Sequence, residues 1–239
     1  MRTGNPALLG NVFMETAGSG TGTMTIQGTV NKSFILLLLA LIPAAWAWST
    51  PLDKMGFLWP AVIIGFITAL VTIFKKEWAP VTAPIYAVTE GVFLGLISSV
   101  FEKTYPGIVL QAVMLTFGTL FCLLAAYKTR IIKPTENFKL GVFAATGAVA
   151  LVYLVSIVMG FFGANIPMIH GSGPVGIGFS VIVVIIAALN LVLDFDFIET
   201  GAERGAPKYM EWYGAFSLMV TLIWLYLEML RLLAKLRSR

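Results

Sequence analysis

The sequence predicts an all-α, polytopic membrane protein with seven transmembrane helices, the seventh central in the bundle. Three observations carry this. Of the 239 residues, 58% are hydrophobic and 12% charged, with a mean hydropathy of +0.89; a soluble domain carries about 25% charge, and no soluble core of this length could hide so much apolar surface. The apolar residues also fall into seven continuous runs near the length that spans a bilayer, about 20 residues. The runs lack the period-two alternation of lipid-facing strands, so helices rather than a barrel follow.

In chain order, residues 1–29 read as a flexible cytoplasmic tail and 30–239 as the transmembrane domain. The tail is rich in Gly, Thr, Ser and Asn through Gln27, with Arg2 its only base there and no apolar stretch of the kind a cleaved signal needs. It is too polar to order itself, and its one apolar patch, Val12-Phe13-Met14, is expected to touch the headgroup region. The first run, Val30 to Trp48, ends in Trp46 and Trp48 as interface anchors and serves as an uncleaved targeting segment. The second, Phe57 to Phe74, is stopped by Lys75-Lys76-Glu77, and the third, Val81 to Phe101, is entered through Pro80 and Pro84. The fourth is Ile108 to Tyr127, the fifth Phe138 to Phe162, the sixth Val175 to Ile198 and the seventh Trp212 to Leu233.

Charge sets the orientation. The net charge of +4 and pI near 9.2 reflect loop bases, which in membrane proteins gather on the cytoplasmic side, and do not indicate nucleic-acid binding. With the N-terminus inside, Arg2, Lys32, Lys75, Lys76, Lys128, Arg130, Lys133, Lys139, Arg204 and Lys208 lie inside, against Lys54 and Lys103 outside. The C-terminal bases run against this rule: a full crossing by the seventh run, whose length suffices, puts Arg231, Lys235, Arg237 and Arg239 outside, and the alternative is a re-entrant segment that keeps the tail inside. The single cysteine, Cys122, rules out an intrachain disulfide.

An ionisable side chain at membrane depth costs several kcal/mol and normally faces protein or water, so the acids of the last two runs are the candidate functional residues. In the seventh run, Gly214, Ser217, Thr221, Trp224, Glu228, Arg231 and Lys235 recur at steps of three and four, sharing one helix face. Such a small and polar stripe packs against helices, not lipid, and makes this span the central one. Glu228 and Arg231 either form part of an ion pathway or neutralise each other at i,i+3, with Lys235 snorkelling to the interface. In the sixth run Asp194 and Asp196 point about 200° apart. Asp194 is expected to face inward with Asn190 as its i,i+4 hydrogen-bond partner, and Asp196 to meet water or a loop base such as Lys208. Glu90 of the third run is a pathway acid or is satisfied by Tyr86 or Thr89, beside Gly91 and Gly95 whose spacing permits close helix approach.

Other signals are decoys. Gly171-Ser-Gly173-Pro-Val-Gly176 has a dinucleotide-type spacing but precedes a long membrane helix rather than sitting in a strand-helix-strand unit, so it reads as a loop. His170 is the sole histidine, so neither a zinc site nor a helical Ser-His pair is expected, and no enzyme activity is assigned.

Three stretches carry a resemblance. Met24-Thr-Ile-Gln-Gly-Thr-Val-Asn-Lys, Pro84-Ile-Tyr-Ala-Val-Thr-Glu-Gly-Val-Phe-Leu-Gly, and Leu189-Asn-Leu-Val-Leu-Asp-Phe-Asp-Phe-Ile-Glu through Glu211-Trp-Tyr-Gly-Ala-Phe and Leu225-Tyr-Leu-Glu-Met-Leu-Arg-Leu-Leu resemble the Bax inhibitor family, in its bacterial branch with an extended N-terminal tail. The resemblance implies seven helices with the last central, a bacterial inner-membrane location, and a pH-sensitive calcium leak gated by a carboxylate pair between the sixth and seventh helices. In place of the family's aromatic-Asp-Thr-Gln, this chain has Leu193-Asp194-Phe195-Asp196, so Asp194 matches the sensor acid and Asp196 replaces the Gln. Counting back about three turns from Leu230-Arg231 to the family's second acid reaches Thr221, while Glu228 lies two turns further along. The pair is therefore either rebuilt as Asp194 with Glu228 or not formed.

If rebuilt, two carboxylates in one poorly hydrated site share a proton, and its loss makes them repel and exposes hard oxygen ligands for transient Ca²⁺ at Asp194 and Glu228. No cofactor is expected beyond Ca²⁺ as the permeant ion. The alternative is a non-conducting membrane regulator that binds an inner-membrane protease or another membrane protein; a secondary transporter stands third. The lipid bilayer is the one partner the composition demands, and oligomeric state is not encoded in these patterns.

Overall fold

The computed structural model describes residues 22–49, 51–162 and 171–238. They form seven long helices: α1 (Ile26–Ser49), α2 (Leu58–Phe74), α3 (Ala79–Thr104), α4 (Ile108–Lys128), α5 (Glu136–Phe161), α6 (Pro174–Glu203) and α7 (Met210–Arg237). A single turn, Pro51–Lys54, and a 3-10 turn, Met55–Phe57, link α1 to α2. Among the described residues there is no strand, only an isolated bridge between Thr23 and Pro207. All seven helices are long and apolar enough to cross a membrane. Val12-Phe13-Met14 and His170 lie outside the described residues.

The most enclosed helix is α7, with 50% of its most apolar window buried, against 44% for α6, 39% for α3 and 11% for α5. Its predicted polar stripe is on the enclosed side: Gly214, Thr221, Glu228 and Lys235, spaced by seven, are all buried. As one unbroken helix of 28 residues, α7 is about 42 Å long, enough for a full crossing without re-entry. Several helices outrun their apolar cores because polar ends can be solvated: α6 continues to Glu203 and α7 to Arg237.

The chain divides into two compact units, Met1–Ile97 with Asp196–Met219 and Ser98–Phe195 with Val220–Arg239. In the first unit, α1 and α3 approach backbone to backbone. A Cβ on Gly91 would fall on the carbonyl oxygen of Ala40, and one on Gly95 on that of Ala44, the close packing their spacing predicts. Thr72 and Thr82 tie α2 to α3 by a buried hydroxyl pair at 2.6 Å. Residues 23–29, read from sequence as the end of a flexible tail, are instead fixed. Met24 N–H donates to Ala206 (2.7 Å), its side chain is buried with Ile198, Ala206 and Met210, and α1 starts at Ile26 rather than Val30. The physical reason is a cap and a distant acid: Thr25 Oγ1 accepts from Gly28 N–H (2.9 Å), and Thr25 itself is held by Glu211.

In the second unit, Ser98 and Tyr226 share a hydrogen bond at 2.6 Å, and Tyr127 packs on Phe195 with ring centroids 5.8 Å apart. Glu102 accepts from Gly107 N–H (2.6 Å) and Val109 N–H (3.1 Å), satisfying the start of α4, and Gly107 takes a left-handed φ of 81° there. Thr135 caps α5 by accepting from Phe138 N–H at 3.3 Å.

Candidate ion-handling site

The second unit builds its polar centre around Glu228. This side chain is 2% exposed. Its Oε1 accepts from Tyr153 Oη (2.9 Å) of α5 and from Arg231 (2.8 Å) one turn along α7. Arg231 also donates to Tyr153 Oη (2.6 Å) and lies over its ring at 5.1 Å. A tyrosine, an arginine and a carboxylate thus close a triangle between two helices. The Oε2 of Glu228 is buried and has no hydrogen-bond partner among the described residues. A buried carboxylate oxygen without a donor is costly, and such atoms concentrate where function demands them.

Lys235 departs from the expected snorkelling. It is buried, and its ammonium donates to Gly176 O (3.0 Å) and Ser180 Oγ (2.8 Å). The small residues at the start of α6 leave the room. This contact also fixes the antiparallel register of α6 and α7 within the unit. Seven residues back along α7 from Lys235 is Glu228, and seven further back is Thr221. At 1.5 Å per residue, Asp194 lies about 21 Å along α6 from Ser180, whereas Glu228 lies about 10 Å along α7 from Lys235. Along its helix Thr221 stands as far from that contact as Asp194 does along α6, and Glu228 stands closer to it. Both Asp194 and Thr221 are buried, at 8% exposed each.

Asn190 does not serve Asp194 as a donor. Its amide nitrogen gives one hydrogen to Thr146 Oγ1 (2.8 Å) of α5 and one to Ile186 O (2.8 Å) of its own helix. Asp196 and Glu90 belong to the first unit, and both are partly buried. Lys208, the base expected for Asp196, is bound to Glu211 at 2.8 Å instead. Thr89, one of the donors expected for Glu90, gives its hydroxyl to Ile85 O (3.0 Å) and Tyr86 O (2.9 Å).

Sequence reasoning missed two participants. Tyr153 had a signal, since a tyrosine midway along an apolar run needs a partner for its hydroxyl. Glu211 had no local signal, because its partners Thr25 and Lys32 are distant in sequence. It is 0% exposed and gathers Thr25, Lys32 and Lys208. No group of three or more His, Cys, Asp or Glu side chains able to hold a metal occurs among the described residues.

The sequence model of a family described as Bax inhibitor 1 like matches residues 5–238, nearly the whole chain. The chain belongs to the Bax inhibitor family. No curated protein matches it individually. In this member of the Bax inhibitor family, the acid of α7 at Glu228 is held by Tyr153 and Arg231.

Proposed function

We propose that this protein is a pH-sensitive cation leak of the Bax inhibitor type, carrying Ca²⁺ across a bacterial inner membrane with its N-terminus in the cytoplasm. Its two acids act in series at different depths. The observation that carries this reading is Glu228, a buried carboxylate within an apolar helix, with one oxygen cross-linking α5 to α7 and the other lacking a donor among the described residues. While Glu228 is charged, Arg231 and Tyr153 hold it and tie the helices together. Taking up a proton cancels the charge that holds Arg231, and the tie weakens. Asp194, deeper along α6, supplies hard oxygen to the passing cation.

The test is Ca²⁺ flux through purified protein in proteoliposomes over a pH series. Wild type is expected to conduct more on the acid side, Glu228→Gln to lose that dependence, and Asp194→Asn to lower the flux while the pH profile set by Glu228 remains. No flux at any pH, together with a membrane protease or other membrane protein that co-purifies, would replace this reading with the non-conducting regulator.

A further inference from the structure

The leak reading leaves Glu90 unused. This acid is the twelfth residue of α3, about 17 Å from the helix start, with Gly91 beside it pressed on the α1 backbone at Ala40. Across from it, α2 presents Gly65, which is buried. The Oε1 of Glu90 lies 3.0 Å from where a Cβ on Gly65 would stand, and the Thr89 hydroxyl 3.5 Å from the same point. The carboxyl group sits against the bare face of Gly65, where an added side chain would crowd it.

No donor meets it there. Among the described residues Glu90 has neither a hydrogen bond nor an ion pair. Thr89 is committed to its own helix. The titratable group within electrostatic reach is Tyr86, 5% exposed and packed edge-on to Phe216 of α7 at 5.0 Å. From α2 the facing residue is Gly65, and α1 presents the Ala40 backbone beside Gly91; neither brings a charge. A resident divalent cation would require several oxygen ligands, and no cluster of three metal-ligating side chains exists among the described residues. What neutralises a partly buried carboxylate with no cation beside it is a proton.

We propose that Glu90 is a proton-binding site at membrane depth in the first unit, with Gly65 as the notch that admits it, separate from the acids of the second unit. Protonated, it packs dry between α2 and α3. Ionised, it draws water into the notch, so proton uptake sets the hydration of this helix pair.

The test uses the full chain in lipid nanodiscs and the apolar reagent N,N′-dicyclohexylcarbodiimide. The acid O–H adds across one C=N bond of the carbodiimide, and an acyl shift from oxygen to nitrogen leaves a stable N-acylurea with no atom lost, readable by peptide mass. Glu90 is expected to be labelled, with labelling falling roughly ten-fold or more between about pH 5 and about pH 9. Glu90→Asp keeps a pH-dependent label, Glu90→Gln abolishes it at this peptide, and Gly65→Val lowers it several-fold by filling the notch. Asp194→Asn and Glu228→Gln leave labelling of Glu90 unchanged. This independence separates the site from the leak, since flux can fail while Glu90 still labels. An unlabelled Glu90 at acid pH, or a label indifferent to pH, overturns the proposal.

Discussion

The carboxylate of Glu211, in the first turn of α7, sits on the first turn of α1, where Oε1 accepts from Thr25 N–H (3.0 Å) and Thr25 Oγ1 (2.9 Å) across 186 residues of sequence. Lys208 donates to the same oxygen at 2.8 Å and Lys32 to the other. The helix N-terminus and two ammonium groups make this a favourable place for an enclosed anion. A Cβ on Gly28 would collide with the carboxylate, so that glycine is required for space.

Glu211→Ala should lower stability by about 2 kcal/mol, because two backbone and hydroxyl donors lose their acceptor while the lysines can still reach water. Lys208→Ala should cost less than about 1 kcal/mol, since Lys208 is 48% exposed and solvent screens its pair. Thermal unfolding in detergent, followed by loss of the monodisperse peak, measures both. Equal midpoints for Glu211→Ala and wild type would show that the clasp holds nothing.

Gly91 and Gly95 make a second prediction, with an internal control. Leu at either position drives a side chain into the α1 backbone, which cannot yield as a side chain can, and should cost about 3 kcal/mol or more. Gly118 on α4 has nothing within 4 Å of an added Cβ. Leu there should fall within about 1 kcal/mol of wild type. If Gly91→Leu were as mild as Gly118→Leu in the same unfolding assay, α1 and α3 would not be in contact through these glycines.

The seven spans were legible because each is a long apolar run, and the stripe on α7 because helix periodicity puts 214, 221, 228 and 235 on one face. What could not be read was long-range. Nothing near Thr25 announces that its cap is completed by Glu211, so the first helix starts earlier than hydropathy indicates. Nor does the sequence state the register of α6 on α7, which Lys235 sets by finding Gly176 and Ser180. Composition and spacing leave open whether Asp194 and Glu228 pair, because that depends on how the two helices are set against each other. Tyr153 was hidden in a run read only for length.

The Tyr153, Glu228 and Arg231 triangle predicts non-additive stability. Arg231→Met alone strips Glu228 of its cation and leaves a buried acid with one donor; Glu228→Gln alone leaves Arg231 facing a neutral amide. The double variant removes both charges together. Its loss should therefore be smaller than the sum of the singles by about 1–3 kcal/mol. Tyr153→Phe should weaken the coupling, since its hydroxyl joins the two. Strict additivity in the cycle would mean that the ion pair contributes nothing inside the protein.

Thr221 gives the sharpest use of the register. It is buried on the enclosed face of α7, about 21 Å along that helix from Lys235, as Asp194 is along α6 from Ser180. An acid placed there would put two carboxylates into one poorly hydrated space, where both cannot ionise cheaply and one proton would be shared. Thr221→Asp should therefore add a second pH-dependent step to the Ca²⁺ flux, and Asp194→Asn in the same chain should remove that step while leaving the Glu228 step in place. Thr221→Asn, equal in size but unable to ionise, should add none. The outcome that would sink the idea is a Thr221→Asp protein that folds, conducts and keeps the wild-type pH profile, for Thr221 and Asp194 would then not face each other, and the contact of Lys235 with α6 would not fix the depth of the acids.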